Sequence, residues 1–179
     1  MDENALIDEL IDREGGFVDN PDDRGGPTCW GITQATARRC GYDGPMRDLS
    51  RGRARLIYRR QYWTAPRLDA VARRAPQLAA ELLDSGVNMG PAVAAAFLQR
   101  ALNALNRGAS DYPDLATDGR IGPRTLAALD AFLTTRGTRG EQVLIKAVDA
   151  LQGERYLHLA ERRPANETFL YGWLANRIG

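Results

Sequence analysis

Glu14, Asp23 and Thr28 stand together in the stretch REGGFVDNPDDRGGPTCWGIT, residues 13–33, and each has a different setting. Leu6, Ile7, Leu10 and Ile11 recur at helical spacing, and position 14 continues their face. A carboxyl therefore sits where an aliphatic side chain is expected, just before Gly15-Gly16 stops the helix. The apolar face and the carbonyl end of the helix both disfavour its charge, which suits a general acid. Asp23 lies in a polar, turn-rich loop, where a carboxylate stays solvated and ionised. Two carboxyls in contrasting settings fit glycoside hydrolysis, one protonating the leaving oxygen while the other assists water or charge. Thr28, on the return strand, offers a hydroxyl that can hold a water.

A plainer reading stands beside this one. A glutamate near a helix end is commonly a surface residue or an ion-pair partner, here for Arg24, and Asp22 and Asp23 are ordinary turn formers. Other chemistries fit less well. The sequence has no Gly-rich phosphate loop between strand and helix, no zinc-ligand spacing and no nucleophile elbow. Cys29 and the single histidine, His158, have no local pattern that would make a thiol nucleophile. No metal or organic cofactor is implied.

The elements that must position these residues read mostly as helix. Residues 2–14 form the first. Phe17-Val18 and Thr28–Ile32 are short β-prone runs around a turn-rich stretch, a small hairpin or looped ribbon. Thr33 can cap a short helix ending near Gly41, and Ser50 the next, which Pro66 ends. Pro76 suits the first turn of a helix carrying Leu78, Leu82 and Leu83. Residues 91–106 are apolar nearly all round in their first half, the pattern of a central buried helix. Gly108 to Gly122 is a long polar connection and a candidate internal boundary. Helices from Pro123, from Glu141 to Arg162, and after an Asn166 cap complete the chain. The class is all-α with a small β-hairpin element.

Length and composition bound the rest. The 179 residues suffice for one domain with a proper core, or for a domain with a closely packed subdomain. With 44% hydrophobic and 26% charged residues the chain is ordinary for a globular protein, and a net charge of +1 gives no global pull towards nucleic acid or membrane. Arginines crowd one segment, at 47, 51, 53, 55, 59 and 60; a solvated helix face is the first reading, an anion contact the second. The acidic, periodic start differs from a secretory signal, so synthesis in the cytoplasm without a signal peptide is expected. Cys29 and Cys40 are expected as two partly buried thiols.

The stretch EGGFVDNPDDRGGPTCWGIT resembles glycoside hydrolase family 108, the phage-endolysin and N-acetylmuramidase family with a lysozyme-like fold. LLDSGVNMGPAVAAAFLQRALN (82–103) resembles that family's Asp-x-x-x-Asn-x-Gly-Pro segment and the helix after it. TDGRIGPRTLAAL (117–129) resembles a motif of peptidoglycan-binding modules, and NETFLYGWLANR (166–177) the family's closing helix. The resemblance implies a lysozyme-like helical fold, with residues 1–90 as the catalytic region. It makes 91–179 a helical peptidoglycan-binding-type region packed against it.

Carried over by position, Glu14 matches the family's catalytic glutamate. Asp23 and Thr28 fall where the distantly similar phage-type lysozymes keep an Asp and a Thr beside theirs. Cys29-Trp30 replaces the Lys or Asn plus Tyr or Phe expected after the Thr, and Met89 stands where His is common. Asn88, Trp30 and Tyr62 are the candidate substrate contacts; Tyr58, Trp63, Phe169 and Trp173 read as core. Asp118-Gly119 reads as a turn with Gly at positive φ.

The implied reaction is cleavage of the β-1,4 bond between N-acetylmuramic acid and N-acetylglucosamine. Its rivals are a lytic transglycosylase and a non-catalytic wall-binding or secretion-assisting protein. The implied partner is bacterial peptidoglycan, met after holin-type or other non-classical release. No nucleic acid or stable membrane insertion is expected, and the chain is expected to be a monomer.

Overall fold

The computed structural model describes residues 3–19 and 26–179. Over these the chain is mostly helical, with a three-stranded antiparallel sheet. It divides into two compact units, Met1–Ala65 and Pro66–Gly179.

In the first unit, α1 (Glu3–Glu14) buries Ile7, Leu10 and Ile11, as the aliphatic spacing predicts. β1 (Phe17–Val18), β2 (Thr28–Cys29) and β3 (Ile32–Thr33) follow, with β2 central. Val18 pairs with Thr28 and Phe17 with Cys29; on the other side Thr28 meets Thr33, and Cys29 meets Ile32. Thr33 caps α2 (Gln34–Arg39), its hydroxyl accepting from the Thr36 amide at 3.3 Å. Ser50 caps α3 (Arg51–Tyr58) in the same way, through the Arg53 amide at 3.2 Å. Past Tyr58 the chain continues as a π-helical stretch, Arg59–Thr64, which no apolar period in the sequence foreshadows.

The arginine-rich segment is neither a purely solvated face nor an open anion site. Arg55 clasps both oxygens of Asp8, with Nη2 at 2.8 and 2.7 Å; Arg51 bonds Asp12; and Arg59 Nε lies 2.6 Å from Glu3 Oε1. Asp8 and Asp12 are one turn apart on α1, as Arg51 and Arg55 are on α3, so the pairs stack along a seam between the helices. Each arginine holds its aspartate carboxyl below the usual range. Such part-exposed pairs contribute little individually and chiefly fix the register of the two helices.

The second unit contains α4 (Leu68–Ala72), α5 (Pro76–Met89), α6 (Pro91–Ala104), α7 (Pro123–Arg136), α8 (Gly140–Arg162) and α9 (Glu167–Arg177). Proline opens α5, α6 and α7, where its missing N–H costs nothing. α6 is the central helix expected: Ala94, Ala95, Phe97, Leu98, Ala101 and Leu102 are buried, and it packs on both α5 and α8. The Glu141 carboxylate, from α8, closes the start of α5 by accepting from the Gln77 and Leu78 amides at 2.7 and 3.0 Å.

The polar connection after α6 is not an internal boundary. α6 stitches it down: Gln99 donates to Asp118 Oδ1 at 2.8 Å and accepts from the Gly119 amide at 3.0 Å. Gly119 has φ +71°, the turn expected of Asp118-Gly119. Asn166 does not cap α9 through its side chain; its amide donates to the Leu159 carbonyl at 2.9 Å instead. Trp173 stacks on Tyr156 at 5.2 Å between ring centres, whereas Phe169 remains exposed, so the expected core pair is only half realised. Asp84 and Arg177 pair at 3.0 Å, joining two motifs that lie far apart in sequence. Among the described residues, no helix is long and apolar enough to cross a membrane.

Candidate active site

Glu14 is the last residue of α1 and is exposed, a correction to the burial that its helical face predicts. The aliphatic face ends one turn earlier, at Leu10 and Ile11, and Gly15 at φ +78° turns the chain away. Exposure is what a polymeric substrate requires, since a buried acid could not reach a bond in a glycan strand.

The β2–β3 turn sets the position of Glu14. Trp30 and Gly31 both have positive φ, 55° and 68°, as the two central residues of a primed hairpin turn do. A Cβ built on Gly31 would lie 2.8 Å from Glu14 Cβ and 2.9 Å from Oε2, so only glycine lets the carboxylate side chain lie against this turn. Trp30 is an uncommon residue at positive φ, and its neighbours hold it there. Its indole N–H donates to the Leu49 carbonyl at 2.8 Å, and its own carbonyl accepts the Tyr58 hydroxyl at 3.0 Å. The Trp30 amide donates to the Gly16 carbonyl at 3.3 Å, tying the turn to the end of α1.

Tyr58 and Tyr62 flank the carboxylate, their rings 5.5 Å apart. Burial raises both phenols above their ordinary value, Tyr58 the more strongly, and the charge of Glu14 adds to the shift in each. Tyr58 and Trp63 are core, as expected, whereas Tyr62 is half-buried. Thr28 is half-buried on β2, and its hydroxyl makes no hydrogen bond to another described residue.

Glu14, Trp30 and Tyr62 are thus brought together, with Thr28 on the strand that leads into the turn. Asn88 belongs to the second unit, where it is exposed near the end of α5 with its amide 3.5 Å from Asp84 Oδ2. Asp23, Arg24 and the rest of the turn-rich loop 20–25 lie outside the described residues. Cys29 and Cys40 are free thiols. Burial pushes the Cys29 thiol up, away from the thiolate form that a nucleophile needs. Sequence reasoning missed Gly31 and Tyr58 as positioning residues; a glycine inside the β-prone run Thr28–Ile32 was the available signal for Gly31.

Residues 7–90 match the family model described as glycosyl hydrolase 108, and residues 93–178 match the predicted peptidoglycan domain. The first half belongs to glycosyl hydrolase family 108. The solved structure of Brucella abortus SagA is similar to the chain over 96% of its length and 86% of that protein's, at 26% identity and a TM-score of 0.65. No curated protein matches it. The chain is therefore a family 108 glycoside hydrolase region followed by a predicted peptidoglycan domain, which makes it a peptidoglycan hydrolase. The two matched stretches meet near residue 90, whereas the compact units divide after Ala65. Helix α5 lies in the first match, yet it packs with α6 and α8.

Proposed function

We propose that this hydrolase is an N-acetylmuramidase that cleaves the β-1,4 bond between N-acetylmuramic acid and N-acetylglucosamine, with Glu14 as general acid. The observation that carries the reading is the placement of Glu14. It is exposed at the end of a helix and held against the strained Trp30-Gly31 turn, in the stretch that matches a glycoside hydrolase family. A fixed carboxyl on a rigid turn meets the positional demand of general-acid catalysis.

Glu14 donates its proton to the bridging oxygen as the glycosidic bond breaks. Thr28 and Asp23 place the water that attacks the anomeric carbon or stabilise the charge that develops there. Thr28 suits this task because its hydroxyl is not engaged by another described residue. Trp30 and Tyr62 offer ring faces beside the acid to the apolar faces of the sugars, and Asn88 is assigned to substrate binding as well. Residues 1–90 form the catalytic region and 91–179 the wall-binding region. The protein acts as a monomer on peptidoglycan after leaving the cytoplasm by a holin-type or other non-classical route, in phage-type lysis or in wall opening for secretion.

Mass spectrometry of borohydride-reduced fragments released from purified peptidoglycan tests this. Fragments ending in reduced N-acetylmuramic acid are expected, and Glu14→Gln should lower their release by about 10²–10⁴-fold while leaving the melting temperature unchanged. Anhydro ends would make the enzyme a lytic transglycosylase. Full activity in the variant would remove Glu14 from the mechanism.

A further inference from the structure

We infer that the second unit carries a pocket for the peptide stem of the wall polymer, at a cavity of about 480 Å³ between residues 112–115 and α7. This rests on the reading of peptidoglycan as substrate and adds to it a site for the non-carbohydrate part of that polymer. The volume falls within the range of small-ligand sites, and the lining is largely apolar.

One wall is a loop that is built before any ligand arrives. Asn106 is fully buried; its Oδ1 accepts from the Asp111 and Tyr112 amides at 3.2 and 3.1 Å. Its Nδ2 donates to the Tyr112 carbonyl at 2.6 Å and to Asp114 Oδ1 at 2.8 Å. Asn103 holds Leu115 by both its amide and its carbonyl, each at 2.8 Å. A loop fixed in this way has little ordering entropy left to lose on binding.

The other wall is α7, which contributes Arg124 and Ala127. Arg124 is exposed and forms no ion pair among the described residues, while Arg74, Arg107 and Arg177 in the same unit each meet a carboxylate. Asp114 spends Oδ1 on Asn106, and no described residue donates to its Oδ2. A guanidinium and a carboxylate therefore open onto a floor of small apolar groups, Pro113, Leu115 and Ala127.

That pattern fits a short peptide with methyl side chains, free carboxylates and one amine, which is the chemistry of the wall's stem peptide. It does not fit a sugar ring, which needs an exposed aromatic face. Tyr112, the aromatic residue lining the cavity, is buried, and its hydroxyl donates to the Leu102 carbonyl at 2.7 Å.

Titration calorimetry of the full chain with the free tetrapeptide (alanine, isoglutamate, diaminopimelate, alanine) tests the assignment. Saturable one-to-one binding is expected, weakened about tenfold or more by Arg124→Ala through loss of a charged hydrogen bond. Ala127→Trp fills the cavity from an exposed helix position and should abolish binding without lowering the melting temperature. Acetylating the diaminopimelate amine should weaken binding to wild type and leave Asp114→Asn little further affected. Binding unchanged by both Arg124→Ala and Ala127→Trp overturns the proposal, as does binding of peptide-free glycan strands in place of the tetrapeptide. Glu14→Gln separates this site from the catalytic one, because it must leave tetrapeptide binding intact. A chain that binds the stem but releases no muropeptides keeps the pocket and loses the muramidase. One that releases muropeptides without binding the stem does the reverse.

Discussion

The Trp30-Gly31 turn and the loop after α6 are both irregular segments held by neighbouring residues, but they are held in opposite ways. Trp30 is pinned by two ring donors, its own indole N–H on Leu49 and the Tyr58 hydroxyl on its carbonyl. The loop is held by buried amides, Asn103 and Asn106, that satisfy main-chain donors and acceptors together. Losing a ring donor removes one hydrogen bond at a half-open surface. Losing Asn106 leaves several buried polar groups without partners, which is far more costly than the bonds are worth when made. The loop is thus a stability element that shapes a pocket, whereas the turn is a lightly fastened positioner whose failure falls on Glu14.

The largest effect on folding should come from Asn106→Ala, about 3 kcal/mol of lost stability or roughly 8 °C in melting temperature. Muropeptide release by the folded fraction should persist, and a calorimetric scan showing no loss would refute the account of the loop. Gly31→Ala comes next. Alanine at positive φ costs roughly 1–2 kcal/mol, and its Cβ must displace the Glu14 side chain. Activity should fall by up to about 100-fold, out of proportion to the stability change. Equal losses in the two assays would reduce Gly31 to a structural residue.

The units also treat acids differently. In the first, Glu3, Asp8 and Asp12 each meet an arginine. In the second, Glu81 of α5 and Asp149 of α8 face each other, and no described residue donates to Glu81 Oε1 or Asp149 Oδ1. Burial, then the Asp149 carboxyl, raises Glu81 from the ordinary 4.5 to about 8. Between these values the folded chain holds a proton that the unfolded chain has released. The stabilising contribution is therefore complete below about 4.5 and is lost as pH rises through about 8. Melting temperatures from pH 5 to 8 should fall in the wild type and stay flatter in Glu81→Gln, and parallel curves would exclude a proton retained on Glu81. The smallest effect belongs to Tyr58→Phe, about 1 kcal/mol, with a modest loss of muropeptide release. A loss as large as that of Asn106→Ala would erase the distinction between ring donors and buried amides.

Much of the framework was legible in residue types alone. The aliphatic spacing of α1, the Thr33 and Ser50 caps, and the prolines that open α5, α6 and α7 are local signals that the fold obeys. Four motif stretches were also legible, but not what each does. Asp84 and Arg177, from two of them, serve each other, and Asp118-Gly119 serves Gln99. Helix α4 is too short, at five residues, to carry a usable period, and the helix expected from Ser50 to Pro66 carries no sign that its second half is π-helical. Helical spacing gives the face on which Glu14 lies but not its exposure, because it fixes direction and not the point at which the packed neighbour ends.

By itself, then, the sequence determined where helices start, which faces are apolar, and that a carboxyl stands at the end of the first helix beside a glycine-rich turn. These follow from backbone and side-chain preferences acting over a few residues. Only the tertiary structure decided that α1 and α3 share a charged seam and that Gly31 yields its space to Glu14. It also decided that two asparagines of α6 shape the wall of a pocket and that a pair of acids meets between α5 and α8. Each of these joins side chains from separate elements, and the contact exists only once packing has brought those elements together.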